Sequence, residues 1–346
     1  MARRKWKSRK KKRSGCAGLF LGIFLLALLT VGAAGWLVLA PYGPDTETFV
    51  EVAPGSSTAL IGRQLEAAGI VRSQFAFDLL RFWKRGKLQA GEYRFDHPAS
   101  AAEVYARIAR GDVFTVSLTV PEGANIFDIA ARVEQAGFGT RQEFLDTAVQ
   151  RTGLVADLDP GAKSLEGYLF PDTYRFARKT TPSQIATAMV RRFRAVANQL
   201  ELKENLHEVV TIASLVERET AVDAERPLVA SVFENRLRQK MALMTDPAVI
   251  YGLELSGRWR GTLEKTDMTR DTVYNTYLHD GLPPGPIANP GVPSLRAAMH
   301  PAQTDYFYFV AAGTDAQGRS LFSNTLEEHD KQVAEYRRAL RKAGER

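Results

Sequence analysis

Residues 17–40, "AGLFLGIFLLALLTVGAAGWLVLA", run for 24 positions without one charged side chain. As a helix such a run rises about 36 Å, enough for a bilayer hydrocarbon core of about 30 Å. The segment therefore reads as a transmembrane helix, and everything after it must fold on one side of a membrane. Residues 2–13 hold nine Lys or Arg and no acid, whereas Asp45, Glu47 and Glu51 follow the run. This asymmetry puts residues 1–16 in the cytoplasm as a basic tip and the body outside, or in the periplasm, of a single-pass protein of the cytoplasmic (inner) membrane. A cleaved signal peptide is the alternative, with Val31-Gly32-Ala33 resembling a cleavage site. The apolar run continues through Trp36-Leu37-Val38-Leu39, which favours a retained anchor.

The formal net charge is +7, and it is −2 once the nine cations of the tip are set aside. A near-neutral body with a basic tip excludes a nucleic-acid face, and no nucleic-acid partner is expected. The one cysteine, Cys16, precedes the apolar run and so is no lipoprotein cysteine, which would follow one. The exported body has no cysteine and must fold on its core alone.

Residues 41–48, "PYGPDTET", read as a linker. Beyond them the chain repeats itself. "EVAPGSSTALIGRQLEAAG" at 51–69 aligns with "TVPEGANIFDIAARVEQAG" at 119–137 at a constant shift of 68 residues. Gly55 matches Gly123, Ile61 matches Ile129, Leu65 matches Val133 and Gly69 matches Gly137. Each copy reads as a strand, a glycine turn, an amphipathic helix and a glycine stop. Between them, 91–95 alternates like a strand. Ser100 and Glu103 fit a capping box for a helix over 101–109, which Gly111 ends. The strand–"PG"–helix order resembles a LysM-like module, a small βααβ unit associated with glycan binding, over 49–118. A purely structural α+β spacer fits the same residues.

Further helices are expected from Pro182, over 207–220, over 225–241 with Pro227 in its first turn, and over 326–343. Residues 242–325 are loop-rich. In the 207–220 helix Val209, Ile212, Ala213 and Val216 share one face, and Glu217 and Glu219 flank it on opposite sides. Either carboxyl, half desolvated, would suit a general acid. Periodicity leaves the choice open, and one salt-bridged and one solvated carboxylate would satisfy it equally.

"ASLVERETAVDAERPLVASVFENRL", "TDPAVIYG", "YNTYLHDGLPPGPIANPGVPSLRAAMHP", "YFYFVA" and "EGYLFPDTY" together resemble the endolytic murein transglycosylases (the MltG, or YceG-like, family). The resemblance covers nearly the whole chain: tip, span, LysM-like part and a catalytic domain over 119–346. It implies an overall α+β architecture with a mixed α+β catalytic domain. It also implies a lyase that cleaves the MurNAc–GlcNAc β-1,4 bond of nascent peptidoglycan internally and without water, leaving 1,6-anhydroMurNAc ends and terminating glycan elongation. The catalytic acid it implies is the first acid of "VE-x-E-T", Glu217. Substrate contacts are expected from Glu166, Tyr168, Tyr174, Asp246, Asn275 and Tyr277. One position departs from the family pattern: Met244 stands before "TDP", where a polar residue is expected. Glu217 should then line a groove with 166–174 and 275–289 and be raised in pKa by desolvation, while Glu219 meets a cation or caps a neighbouring element.

Partners implied by the resemblance are peptidoglycan strands, the cytoplasmic membrane and cell-wall synthases such as penicillin-binding proteins. The implied chemistry needs no cofactor. None of the five histidines has a metal spacing, "HEVVT" lacks a second His for a zinc site, and no G-x-S-x-G occurs. A hydrolytic muramidase, needing a second carboxylate from Asp246, Glu166 or Glu219, and a non-catalytic peptidoglycan-binding scaffold are the competing readings. The loop 275–291, with four prolines and three glycines, is either a stiff groove wall or a rigid connector.

Overall fold

The computed structural model of the chain describes residues 14–313 and 318–344; residues 1–13 of the basic tip, read over 1–16, lie outside them. The described chain is mixed α+β, mostly helical, with three two-stranded antiparallel sheets. It divides into two compact units, at residues 115 and 116.

The first unit begins with α1 (Ser14–Leu39). Within it Gly18–Leu39 has a mean hydropathy of 2.3 and is long and apolar enough to cross a membrane, and residues 18–33 are exposed throughout. Then come β1 (Thr48–Val52), α2 (Thr58–Ala67), α3 (Gln74–Lys84), β2 (Gly91–Phe95) and α4 (Ala101–Arg110). β1 pairs with β2, Val50 opposite Tyr93, so that alternate side chains Val50, Val52, Tyr93 and Phe95 enter the core. Ile61 and Leu65 of α2 and Val104, Tyr105 and Ile108 of α4 close it. The Ser100–Glu103 capping box and the left-handed Gly111 stop bound α4 as the sequence predicts. The residues read as a linker are partly tied down, since Tyr42 bridges Ala99.

The second unit opens with the other copy of the repeat. β3 (Val116–Thr119) and α5 (Ile126–Gln135) stand 68 residues after β1 and α2 at their starts. Asn125 caps α5 as Ser57 caps α2, and Gly123 and Gly137 take φ of +74° and +78°, as Gly55 and Gly69 take +79° and +69°. A β-branched or bulky residue at any of these four would be strained. α6 (Arg141–Gln150) follows, and β4 (Thr173–Phe176) pairs with β3, so both units contain the order βααβ. In the first unit six residues (85–90) join the second helix to the closing strand; in the second, 22 residues (151–172) do so.

The rest of the second unit is α7 (Pro182–Gln199), α8 (Leu206–Glu219), α9 (Arg226–Arg238), α10 (Asp246–Leu255), α11 (Lys265–Met268), α12 (Val292–Met299), β5 (Tyr308–Ala311), β6 (Ser320–Ser323) and α13 (Leu326–Gly344). α8 is central, packed against α9, α10 and α12. The 275–291 loop is no surface strap, because Ile287, Ala288 and Asn289 are buried. Ile287 N–H donates to Ser214 Oγ of α8 at 3.1 Å.

Gly167 shows how tightly this loop is seated. Its φ is +86°, and a Cβ there would lie 2.5 Å from Pro286 Cγ and 2.7 Å from Val210 Cγ1. Gly167→Ala is expected to destabilise the protein by about 2 kcal/mol or more, combining backbone strain with overpacking. A shift in the urea midpoint at unchanged slope measures it.

Candidate active site

The last turn of α8 carries both carboxyls in question. Val210, Ala213, Leu215 and Val216 are fully buried, so the helix is clamped by its neighbours. Residues 217 and 219 then point about 200° apart, towards different surroundings.

Glu217 points inward. Its Oε1 accepts from Arg226 Nη1 at 2.9 Å and its Oε2 from Gly291 N–H at 2.9 Å. The two side chains of this ion pair are 5 % and 6 % exposed. Arg226 also donates to Asp223 Oδ1 at 3.0 Å and to Ser294 Oγ. Glu217 thus holds a buried cation, and the pair ties α8 to α9 and to the start of α12, while the cations near Glu219 are Arg236 and Arg218.

Glu219 faces an open cleft of about 470 Å³, whose walls include Arg236, Met244, Asp246, Tyr277, Tyr308 and His329. Burial pushes its carboxyl up to about 7; the charge of Asp246 adds to this, and Arg236 and Arg218 offset part of it. Glu219 is also the final residue of α8, where the partial negative charge of a helix C-terminus disfavours a carboxylate. Asp246, by contrast, opens α10, at the helix end that favours negative charge. Its Oδ1 accepts from Tyr277 Oη–H at 2.6 Å. Two carboxyls in one cleft therefore sit at opposite ends of two helices, an arrangement that separates an acid from a fixed anion.

The cleft floor is braced from below. Arg236 Nε donates to Phe307 O at 2.7 Å and Nη1 to Leu243 O at 2.8 Å, and its guanidinium lies 5.2 Å from the Tyr308 ring centroid. Tyr308 stacks on His329 of α13 at 5.1 Å and 23°. Aromatic faces beside polar groups suit a sugar, whose ring presents C–H faces and hydroxyl edges. Met244, half-exposed on the rim, has a φ of +53°. It presents an apolar side chain where the sequence pattern leads one to expect a polar one.

Of the six residues expected to contact substrate, Asp246 and Tyr277 share the cleft with Glu219. Tyr174 lines a separate hollow with Asp172 and Arg192, its Oη–H given to Phe170 O. The other three are buried and spent on the protein itself. Tyr168 donates to Asp159 Oδ2 at 2.6 Å. Asn275 is 0 % exposed, with Nδ2 donating to Met268 O and Arg270 O. Glu166 accepts from Ile126 N–H at 2.9 Å and Asn289 Nδ2 at 2.7 Å. These bonds brace the surrounding loops, and Glu166 and Tyr168 also line a small hollow with Asp159, His207 and Tyr274. Arg236, Tyr308 and His329 were not picked out from sequence. The first two lie inside the segments "VFENRL" and "YFYFVA", where nothing distinguishes a cleft residue from its neighbours.

Burial pushes Glu166 up to about 8 against the donors Ile126 N–H and Tyr251 Oη–H. Glu166 and Glu219 both have folded pKa values above the ordinary 4.5. The stability they contribute is therefore fully present below that value and is lost as pH rises through about 7 and about 8. Thermal unfolding followed by circular dichroism should show a melting temperature that falls between pH values of about 5 and 8, with a shallower fall in Glu166→Gln.

A family model described as the YceG-like family matches residues 50–335. The endolytic murein transglycosylase of Bacillus subtilis (strain 168) is 33% identical over 338 residues, 89% of this chain and 91% of that protein. The endolytic murein transglycosylase of Streptococcus pneumoniae (strain D39) is 29% identical over 359 residues, 92% of this chain and 65% of that protein. A 2.6 Å crystal structure of a yceG-like protein from Listeria monocytogenes matches with a TM-score of 0.54 at 30% identity, covering 83% of this chain and 99% of that one. With the family model spanning most of its length and the Bacillus relative matching over about nine-tenths of both chains, the chain belongs to the YceG-like family.

Proposed function

We propose that this chain is a membrane-anchored endolytic lytic transglycosylase of peptidoglycan and that Glu219, in place of Glu217, is its general acid/base. The observation that carries the reading is the Glu219 carboxyl, raised to about 7 on the wall of an open cleft beside Asp246, Tyr277 and Tyr308. An acid that is neutral near physiological pH can protonate the glycosidic oxygen of a MurNAc–GlcNAc bond. The C1–O bond breaks, the GlcNAc leaves with a free hydroxyl, and positive charge develops at C1 and its ring oxygen. Glu219, now a carboxylate, takes the proton from the muramoyl C6 hydroxyl. That oxygen closes on C1 and completes a 1,6-anhydro ring. The nucleophile belongs to the substrate, so no water is held and no second catalytic carboxylate is required. Asp246 supports this by keeping Glu219 protonated.

The name borne by the Bacillus and Streptococcus relatives supports peptidoglycan as the substrate. α1 is proposed as a retained anchor with the body outside the membrane, and the βααβ part of the first unit as a LysM-like glycan holder. Cell-wall synthases are the proposed neighbours, since internal cleavage of nascent strands ends their growth.

Mass spectrometry of products from purified glycan strands is the test. Anhydro ends at internal cuts are expected; reducing ends would replace the reading with a muramidase, and intact strands with a binding scaffold. The pH profile tests Glu219 separately. Activity is expected to fall as pH rises through about 7, because the acid must be protonated. Asp246→Asn removes a charge that raises the Glu219 pKa, and should move that limb of kcat/KM to lower pH. An unmoved limb would detach Asp246 from the acid.

A further inference from the structure

α3 carries apolar side chains on two faces. Ala76, Phe77 and Leu80 are buried in the core of the first unit. Phe75, Phe82 and Trp83 stand on the other side, 73%, 69% and 81% exposed, with Leu79 also exposed between them. Positions 75, 79, 82 and 83 repeat at helical spacing, so they form one continuous stripe. Nothing in the unit's own core requires it. A stripe of this kind, with two phenylalanines and a tryptophan, marks an interaction surface.

The position of the stripe identifies what covers it. Leu37 and Val38 of α1 pack on the same core. Arg72, two residues before α3, donates to Pro41 O at 3.2 Å and lies over the rings of Trp36 at 4.4 Å and Tyr42 at 4.7 Å. α3 is thereby held against the final turns of α1. An apolar cleft of about 430 Å³ runs between them, with Val31, Ala34 and Val38 on one wall and Leu79, Leu80 and Trp83 on the other. These α1 residues belong to the apolar stretch that ends at Leu39. Ala34 lies about 7–8 Å back along the helix axis from Leu39. Helices that lie in a membrane interface bury their apolar face by about 5–10 Å. The α1 wall of the cleft, from Val31 to Leu39, thus includes the depth such a helix adopts.

The charges agree. Residues 81–87, "RFWKRGK", hold Arg81, Lys84, Arg85 and Lys87 and no acid. Lys84, Arg85 and Lys87 are exposed at the C-terminal end of α3 and just beyond it. Cations with long stems beside aromatic rings are what the phosphate layer accommodates, the stems running along apolar surface and the heads reaching lipid phosphates.

We propose that α3 is a second membrane contact: an interfacial helix that lays Phe75, Leu79, Phe82 and Trp83 into the outer half of the bilayer beside α1, with Lys84, Arg85 and Lys87 on lipid phosphates. This rests on the reading of α1 as a retained anchor. One span alone leaves a body free to tilt and swivel about it. A second contact, held to the span through Arg72, fixes how the first unit meets the membrane.

The test uses the full chain in lipid nanodiscs containing phosphatidylglycerol, with acyl chains brominated near the headgroup or near the bilayer centre. Subtracting the emission of Trp83→Phe and of Trp36→Phe from that of the parent isolates each indole. The expected result is quenching of Trp83 comparable to that of Trp36, strongest with bromine near the headgroup. Phe82→Trp in a Trp83→Phe background should be quenched in the same way. Quenched Trp36 with unquenched Trp83 and unquenched residue 82 overturns the interfacial helix and leaves the anchor standing. An unquenched Trp36 overturns both. Quenching of Trp83 that appears only when protein is diluted in lipid makes a second copy the occupant and overturns the proposal as well.

Discussion

Glu219→Gln is expected to leave a folded protein with a melting temperature no lower than the parent's and a turnover reduced by about 10⁴-fold. The reason for the intact fold is the same as the reason for the lost rate. At pH near 7 the Glu219 carboxyl is poised between its neutral and charged forms by burial and by Asp246. Glutamine copies the shape of the neutral form and removes the desolvated charge, so stability at and above that pH should hold or rise. Loss of one general acid or base step costs about 10²–10⁴-fold, and here one group serves as acid and then as base. Release of anhydro-muropeptides measured beside thermal unfolding reads both quantities. Near-parental turnover in the folded variant would sink the assignment of Glu219.

Glu217→Ala is expected to behave in the opposite way, unfolding at markedly lower temperature while its folded fraction keeps near-parental turnover. Arg226 would be left charged and 6 % exposed with its Glu217 partner gone, and Gly291 N–H would lose its acceptor. Breaking a buried pair by removing one partner costs about 3–5 kcal/mol, and the lower end is expected because Arg226 keeps Asp223 and Ser294. That is a large part of the total stability of a typical domain, so the assay must be run well below the new midpoint. Glu217→Gln keeps an acceptor and should lose less. Arg226→Met added to Glu217→Ala removes the buried charge that only Asp223 would still pair and should recover part of the loss, and this double-mutant cycle separates the pair's coupling from the effect of either residue alone. A folded Glu217→Ala protein with turnover down by orders of magnitude would return the catalytic role to Glu217.

These two residues also show where sequence reasoning stops. The spacing correctly put both carboxyls on opposite margins of an apolar face. Which margin meets a cation and which meets a cleft depends on Arg226, Gly291, Arg236 and Asp246, partners that folding brings in from outside the helix. No local pattern encodes that choice, and the family motif contains both glutamates. That Glu166, Tyr168 and Asn275 are buried was not legible in the motifs for a related reason. A motif marks positions where a residue type is required, and a buried amide that closes two backbone carbonyls is required as strictly as one that touches a sugar. What was legible was local. The 68-residue shift, the glycines with positive φ, the Ser100–Glu103 capping box and the Pro182 helix start all arise from backbone geometry within a few residues. Those features survive any tertiary setting, so they could be read without one.

The two βααβ copies differ in how they are closed. In the first, a six-residue connection closes the unit on itself. In the second, the 22 residues at 151–172 carry Asp159, Glu166, Tyr168 and Leu169. Through them the copy is bonded to His207 of α8 and to Asn289, whose side chain accepts from Leu169 N–H at 2.8 Å and donates to Glu166 and Ala124 O. Opening the second copy would therefore strip α8 and the 275–291 loop of these partners, so it should open only together with the elements that lean on it, whereas the short closure of the first copy lets its fold be completed by local contacts.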